Sequence, residues 1–412
     1  MTKYDLGIIG AGPGGYTAAL AAAEQGKNVV LFEKENIGGV CLNKGCIPTK
    51  SILHSSELYK KLQNAQDFGI NVTGAEVDFQ KVIERKNKNI ETLRKGIELA
   101  LKNAKVTTIA KEAKILTPTT IEAAGEIYQA DKIICAAGSS PRNLKGLEFD
   151  HKFILSSDDI LNLDKLPKRI LIVGSGAIGL EWARIFSNFG VEVTLTELAP
   201  NLLPLADIEV SKRVERCFKK EKIKFYTGTS VIRVEDCKVT LSNNEILMPE
   251  KILVAAGRVS NCGKKIDGIT YIGDAAGEIQ LAHYAVKQAY NVCAGIDYCK
   301  NLIPSVIYGT PEIAWAGMRE QDLEAGTYQK SVQLVSALGK AWCDGETEGF
   351  IKILSQNDKI IGVHIVCTEA SSLLTAMLFA MQNNITVDAL KQVCFAHPTY
   401  SEGLFEALLK LK

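Results

Sequence analysis

The chain has 412 residues, 46% hydrophobic and 23% charged, with a formal net charge of +1. That length exceeds one ordinary core and calls for two or three domains. The near-neutral balance, without long runs of one charge, gives no reason to expect nucleic acid or a membrane as partner. The 11 cysteines are odd in number and scattered, which excludes a secreted disulfide framework and points to a reducing, cytoplasmic setting. No stretch approaches the roughly 20 apolar residues of a membrane span. No signal peptide is expected, because after Met-Thr-Lys the chain enters a strand-like run, Tyr4-Asp5-Leu6-Gly7-Ile8-Ile9.

Residues 4 to 33 read as strand, turn, helix and strand. The turn is Gly10-Ala11-Gly12-Pro13-Gly14-Gly15, followed by an Ala-rich helix from about Gly14 to Gln25 that Gly26 can end. The second strand, Val29 to Phe32, closes on Glu33. This is the G-x-G-x-x-G pattern in its full context. Gly10 allows the tight turn, Gly12 lets the backbone approach a pyrophosphate, and Gly15 lets helix and strand pack closely. The helix N-terminus faces the phosphates, and Glu33 accepts the ribose hydroxyls.

Cys41 and Cys46 follow at once, in Gly38-Gly39-Val40-Cys41-Leu42-Asn43-Lys44-Gly45-Cys46-Ile47-Pro48-Thr49-Lys50. Glycines before them and a proline at the expected start of a helix suggest a redox pair. Ser51 to Leu62 and Val82 to Leu101 show helical apolar spacing, and Thr107 to Ile127 reads as a small meander.

The opening pattern then repeats. Arg169 to Val173 leads into Gly174-Ser175-Gly176-Ala177-Ile178-Gly179, a helix to about Phe189, and Val191 to Thr196 closing on Glu197. Lys132-Ile133-Ile134-Cys135-Ala136-Ala137-Gly138 is echoed by Lys251-Ile252-Leu253-Val254-Ala255-Ala256-Gly257. An internal duplication of a nucleotide-binding fold implies two dinucleotides. The second copy is the shorter. From about Ile303 the pattern changes to antiparallel strands, then helices at Ala370–Gln382 and Val387–Val393, an α+β domain closing on His397-Pro398-Thr399-Tyr400-Ser401-Glu402. The nine other cysteines, Cys135 and Cys262 among them, read as core or surface residues, and no metal site is expected. His54, His151 and His364 read as structural, His283 as equally structural or near the cofactor, and Trp182, Trp315 and Trp342 as packing.

With these stretches the chain resembles the class I pyridine nucleotide-disulfide oxidoreductases, the flavin disulfide reductases of the glutathione reductase and dihydrolipoamide dehydrogenase type. The resemblance covers nearly the whole chain. Its most specific parts are Cys41 to Lys50 and His397 to Glu402; Gly138, Gly257-Arg258 and Gly273-Asp274 support it. It implies an α/β architecture with two Rossmann-like dinucleotide-binding domains, for FAD and NAD, plus a C-terminal α+β dimerisation domain. The expected boundaries are residues 1–145 and 263–302 for the FAD domain, 146–262 for the shortened NAD domain, and 303–412 for dimerisation. Gly10, Gly12, Gly14, Gly15, Glu33, Lys50, Gly138, Asp274 and Ala282 would hold FAD. Gly174, Gly176, Ile178, Gly179, Glu181, Glu197 and Gly257 would serve the NAD side, with Lys50 and Glu181 paired beside the flavin. Glu197 favours NAD, since a carboxylate repels a 2′-phosphate.

Within the family the dihydrolipoamide dehydrogenase type fits best, from Leu42 and Ile47. The resemblance implies catalytic roles for Cys41, Cys46, His397 and Glu402: a dithiol attacks the Cys41–Cys46 disulfide, His397 takes the proton with Glu402 orienting it, and electrons pass by way of Cys46 and FAD to NAD⁺. The expected partners are a second copy of the chain, which supplies His397, and a lipoyl-bearing protein of a 2-oxoacid dehydrogenase or glycine cleavage complex, since no lipoyl domain is expected ahead of Tyr4. Two alternatives stay open: an NAD(P)H-dependent reductase of another disulfide, and a turnover-impaired flavoprotein acting as a complex subunit. Two departures from the family pattern stand out. The family's Arg-x-Pro-Asn is Arg258-Val259-Ser260-Asn261 here, and Val40 replaces a threonine.

Overall fold

The computed structural model describes residues 3–412; Met1 and Thr2, which head the first expected domain, lie outside the described residues. β1 (Lys3–Ile9), α1 (Pro13–Glu24) and β2 (Val29–Phe32) form the first strand-turn-helix-strand unit. Gly10 takes φ +92°, and a Cβ there would meet the Ala136 carbonyl oxygen at 2.4 Å, so only glycine lets the chain turn so close to the neighbouring strand.

α2 (Gly39–Lys44) carries Cys41. α3 (Cys46–Gln63) begins earlier than the apolar spacing from Ser51 predicts. Its first turn contains Pro48, tolerated there because first-turn amides have no intrahelical partner. α4 (Phe79–Asn103) is capped by Asp78, whose side chain accepts from Lys81 N at 3.2 Å.

β3 (Thr107–Ile109), β4 (Ala113–Thr117), β5 (Thr120–Ala123) and β6 (Glu126–Cys135) complete the unit. The reading of Thr107 to Ile127 as one meander is corrected here. β3 pairs in parallel with β2, and only β4, β5 and β6 run antiparallel. A strand returning from a long helix lands parallel, as a crossover requires, whereas short turns give antiparallel neighbours. The sheet order is β3-β2-β1-β6-β5-β4.

After β7 (Ser139–Pro141) and β8 (Ile154–Leu155), the second copy follows with β9 (Arg169–Val173), α5 (Ala177–Asn188), β10 (Glu192–Thr196), α6 (Ile208–Lys220) and β11 (Lys224–Tyr226). β12 (Val231–Glu235), β13 (Lys238–Leu241) and β14 (Ile246–Leu247) form a separate meander before β15 (Lys251–Val254) re-enters the sheet. That sheet runs β11-β10-β9-β15-β8. β16 (Arg258–Ser260) pairs with β7, and β17 (Thr270–Tyr271) returns to pair in parallel with β6 of the first sheet. α7 (Ala282–Ala294) packs on α1.

The C-terminal part is an antiparallel sheet, β18-β19-β22-β21-β20, of β18 (Ser305–Ile307), β19 (Glu312–Gly317), β20 (Gln329–Leu334), β21 (Phe350–Gln356) and β22 (Lys359–Cys367). α8 (Gly339–Asp344), α9 (Ala370–Gln382), α10 (Val387–Lys391) and α11 (Glu402–Leu409) accompany it. Ile52 of α3, Phe186 of α5, Leu195 of β10 and Phe350 of β21 share one buried cluster, so the redox helix, the second unit and this sheet are packed as neighbours. Among the described residues no helix is long and apolar enough to cross a membrane.

Candidate active site: a dithiol between two dinucleotide cradles

Cys41 and Cys46 are half-buried free thiols on consecutive helices. The neighbouring Cys41 thiol, together with the Lys50 charge, brings Cys46 down to about 7 against the opposing effect of burial. The same neighbourhood, with burial, pushes Cys41 up. Cys46 is the first residue of α3, where the helix dipole also favours a thiolate. The two sulfurs are therefore unequal, and Cys46 is the one that carries charge.

Lys50, one turn further along α3, donates to both Glu181 oxygens at 2.7 and 2.8 Å. Glu181 is buried on α5 and also accepts from Tyr308 N at 3.1 Å, while Lys50 Nζ lies 4.7 Å from the Tyr308 ring centroid. Ile178 and Glu181 are three apart on α5 and share a helical face. The pairing of Lys50 with Glu181, across 131 residues, is the one that the resemblance implies.

Both glycine turns fit the pyrophosphate of a dinucleotide. α1 and α5 start at Gly12 and Gly176 with no side-chain cap, which leaves first-turn amides for an anion. In the first unit Gly38 and Gly39 adopt φ of +99° and +58°, and a Cβ on Gly39 would lie 2.5 Å from Gly12 Cα. A side chain on Gly15 or Gly179 would run into the carbonyl of Gly10 or Gly174, at 1.8 and 1.9 Å. Gly14 is buried in α1 against Ile272 and Ala285.

Glu33 and Glu197 brace these turns from within. Glu33 accepts from Ala11 N and Glu35 N, each at 2.8 Å, and Glu197 from Ser175 N and Ala199 N, each at 2.8 Å. A carboxylate has about four lone-pair sites, so capacity remains for ribose hydroxyls. Glu197 retains less, since the Ser175 hydroxyl also donates to it at 2.6 Å.

Gly138 and Gly257, at φ of +71° and +97°, end β6 and β15 in matching turns. Asp274 accepts from the Ser139 hydroxyl, and Arg258 donates to Ser139 Oγ at 2.8 Å and to its carbonyl at 2.7 Å. Ala282 opens α7, again without a side-chain cap. His283 spends Nε2 on the Pro304 carbonyl at 2.8 Å.

His397 Nδ1 lies 2.8 Å from Glu402 Oε1, and Thr399 N donates to Glu402 Oε2 at 2.8 Å. The hydrogen bond with His397 holds the Glu402 carboxyl below its usual range. An ionised Glu402 makes Nδ1 the donor and leaves Nε2 for a substrate. The His397 side chain is 77% exposed, and no contact joins it to Cys41 within the chain among the described residues.

Three features lie outside the sequence reading. Cys135 and Cys262 are not isolated core or surface thiols: their sulfurs are 3.1 Å apart. Trp342 is not a packing residue; it is exposed, with Nε1 donating to the Ser336 carbonyl at 2.8 Å. Lys352 is fully buried in β21, bonded to Asp207 at 2.8 Å and to Glu320, with Glu209 at 3.1 Å. Those three carboxylates are the one cluster of metal-ligating geometry among the described residues, and the Lys352 ammonium is their counter-cation. Of the three, only the Cys135 pair left a trace in sequence: a cysteine where the second copy has Val254.

The profile of the pyridine nucleotide-disulphide oxidoreductases matches residues 4–270, and that of the same family's dimerisation domain matches residues 303–408. The chain belongs to this family. FAD and NAD are the two dinucleotides that the paired cradles fit. The dihydrolipoyl dehydrogenase of Bacillus subtilis (strain 168) is 34% identical over 463 aligned positions, covering 99% of this chain and 98% of that protein. That of Thermus scotoductus is 35% identical, covering 99% and 97%. The first alignment is longer than the 412-residue chain, so this family member is the shorter protein. Among solved structures, LpdA from Mycobacterium tuberculosis has a TM-score of 0.90 at 25% identity, covering 100% of this chain and 99% of that one.

Proposed function

We propose that this chain is an NAD-dependent dihydrolipoyl dehydrogenase, oxidising protein-bound dihydrolipoamide through the Cys41–Cys46 pair. The observation that carries this reading is the unequal dithiol, with Cys46 at the start of α3 beside the Lys50–Glu181 pair. Full-length similarity to dihydrolipoyl dehydrogenases supports the choice of substrate.

In the disulfide form, a substrate thiolate attacks the Cys41 sulfur, and the S–S bond breaks with Cys46 leaving as thiolate. His397 takes the substrate's thiol proton at Nε2, and Glu402 stabilises the imidazolium. The second substrate thiol then displaces Cys41, which leaves with a proton, and the substrate departs as its disulfide. Two electrons now rest on the enzyme dithiol. FAD held by the first cradle, at Gly10, Gly12, Gly15 and Glu33, would supply the two-electron chemistry that links this dithiol to NAD⁺. Lys50 keeps a positive charge next to the Cys46 sulfur, and Glu181 fixes its position.

Residues 1–145 with 263–302 form the FAD domain in this reading, 146–262 the NAD domain and 303–412 the dimer-forming domain. Gly10, Gly12, Gly14, Gly15, Glu33, Gly138, Asp274 and Ala282 line the first cradle; Gly174, Gly176, Ile178, Gly179, Glu197 and Gly257 line the second. The exposed His397 reaches the partner's dithiol in a homodimer, and the lipoyl group arrives on another protein in the cytoplasm.

Anaerobic titration tests this. Dihydrolipoamide should produce a long-wavelength thiolate-to-flavin band, lost in Cys46→Ser, and NADH should reduce the enzyme in preference to NADPH. A purified protein without flavin would overturn the reading. So would a band that appears only with another dithiol, or a preference for NADPH.

A further inference from the structure

We propose that Cys135 and Cys262 are a second redox pair, a reversible disulfide that fastens the connection between the second unit and the first onto the C-terminal end of β6, in the middle of the first sheet. Their sulfurs are 3.1 Å apart although 127 residues separate them in sequence. Cys135 is the last residue of β6 and is buried. Cys262 stands in the connection between β16 and β17, half-exposed. This connection lies over the Ala136-Ala137-Gly138 turn and is tied to it on one side of the sulfur. Asn261 N donates to the Gly138 carbonyl at 3.0 Å, and Asn261 Nδ2 donates to the Ala137 carbonyl at 2.9 Å. Cys262 N donates to the Ser260 hydroxyl at 3.2 Å. On the other side, β17 pairs with β6 directly, Tyr271 opposite Cys135. Both sulfur-bearing segments are held in place, and closure to a bond of about 2.05 Å needs only a small approach.

The two thiols divide the work that disulfide formation requires. The contact with the Cys135 thiol, with support from Ser260 and Lys265, holds Cys262 at about 7 despite its partial burial. The same contact and burial push Cys135 up. Cys262 is the accessible thiolate and Cys135 the buried resolving thiol. With hydrogen peroxide as oxidant, the Cys262 thiolate displaces hydroxide from the O–O bond and becomes a sulfenic acid. The Cys135 sulfur then attacks the Cys262 sulfur, the S–S bond forms, and the hydroxyl leaves as water with the Cys135 proton. Overall, two thiols lose two electrons and peroxide becomes two waters. A dithiol reductant reverses the step, closing its own disulfide. The bond would tie the chain down beside Gly138 and the Ser139–Asp274 contact, at the phosphate edge of the first cradle. It is separate from Cys41 and Cys46, which lie on α2 and α3.

The test uses the full chain, reduced and then exposed anaerobically to one equivalent of hydrogen peroxide per thiol pair. Remaining thiols are alkylated, the protein digested without reductant, and the peptides weighed. The expected product is the Cys135 peptide joined to the Cys262 peptide, two hydrogens lighter than their sum and restored to two alkylatable thiols by dithiothreitol. Cys262→Ser and Cys262→Ala should each remove this cross-link and leave that between Cys41 and Cys46. In a Cys41→Ser/Cys46→Ser background, oxidation should raise Tm by about 2 °C or more, with no rise once Cys262→Ser is added. Alkylation of both Cys135 and Cys262 while Cys41–Cys46 is closed would overturn the pair, as would either sulfur joined to a different cysteine. A cross-link without the rise in Tm would overturn the fastening.

Discussion

In the first unit Gly10 N donates to the Phe32 carbonyl at 2.8 Å, and in the second Gly174 N donates to the Thr196 carbonyl at the same distance. Ala136 N to the Ile9 carbonyl and Ala255 N to the Val173 carbonyl, both 2.8 Å, repeat the match on the other side of the turn. Each closing glutamate clamps the amide after the first glycine. What differs is the surroundings. Gly38, Gly39 and the Cys41 helix close over the first turn, whereas a Cβ on Gly176 would meet nothing within 4 Å. Phosphate binding sets the backbone of the turn, and so the two turns agree. What happens at the bound cofactor depends on what is built around the turn, and there the units diverge: one receives a dithiol, the other an open approach.

Substitutions at the equivalent glycines should separate the two roles most strongly. Gly15→Val forces a side chain onto the Gly10 carbonyl, and the purified protein should lose its flavin absorbance. Gly179→Val makes the same clash with Gly174 and should leave the protein yellow but unable to pass electrons to NAD⁺. Loss of flavin in both variants, or in neither, would break the comparison.

The next effect concerns how the second unit is anchored. Lys352 of β21 binds Asp207, the N-cap of α6, in full burial. Burial alone would lower its pKa, but the hydrogen bonds to Asp207 and Glu320 more than offset this, and its pKa is raised. Lys352→Met should cost about 3–5 kcal/mol, because the fully buried Asp207 loses its cation, whereas Glu320 and Glu209 keep Lys330; chemical unfolding would measure it. His364 is buried 3.9 Å from Asp207, and burial lowers its pKa. A histidine kept neutral by the fold destabilises it in acid: below about pH 6.5 the unfolded chain takes up a proton that the folded chain refuses. Stability should therefore fall with decreasing pH from that point, by up to about 1.4 kcal/mol per pH unit. Asp207, whose carboxyl is held down by Lys352 and Glu320 N against the effect of burial, adds a further loss only below about pH 4.

Smaller effects should come from the glutamate clamps. Glu197→Ala should raise the KM for NAD⁺ by roughly 10- to 100-fold with the flavin unaffected, the worth of one charge-assisted hydrogen bond or two. Ser175→Ala removes one donor to Glu197 and should change KM by about fivefold or less. The mildest test changes no residue. Iodoacetamide should alkylate reduced Cys46 with a half-maximal rate near pH 7, and Lys50→Met should move that midpoint upward. An unmoved midpoint would exclude Lys50 as a contributor to the shift.

Legibility in the sequence followed the distance over which information had to travel. Ala370–Gln382 is helical over the residues that the spacing predicts. The His397–Glu402 contact spans five residues and was readable as a local unit. β3 was misread because only the long helix before it makes it parallel. Lys352 sits in Phe350-Ile351-Lys352-Ile353-Leu354 like any outward lysine of an alternating strand, and its burial depends on carboxylates far away in the chain. Cys135 and Cys262 had no shared motif to announce them.

By itself the sequence determined the duplicated turn, the redox pair and the histidine with its acid, because each is a local arrangement with its own backbone or spacing demand. Only the tertiary structure showed what fixes the lysine beside Cys46, since Glu181 lies 131 residues from Lys50. The same holds for the meeting of Cys135 with Cys262 and for the buried lysine that holds the second unit to the C-terminal sheet. Those contacts arise between segments over a hundred residues apart, where side-chain identity is silent until packing brings the partners together.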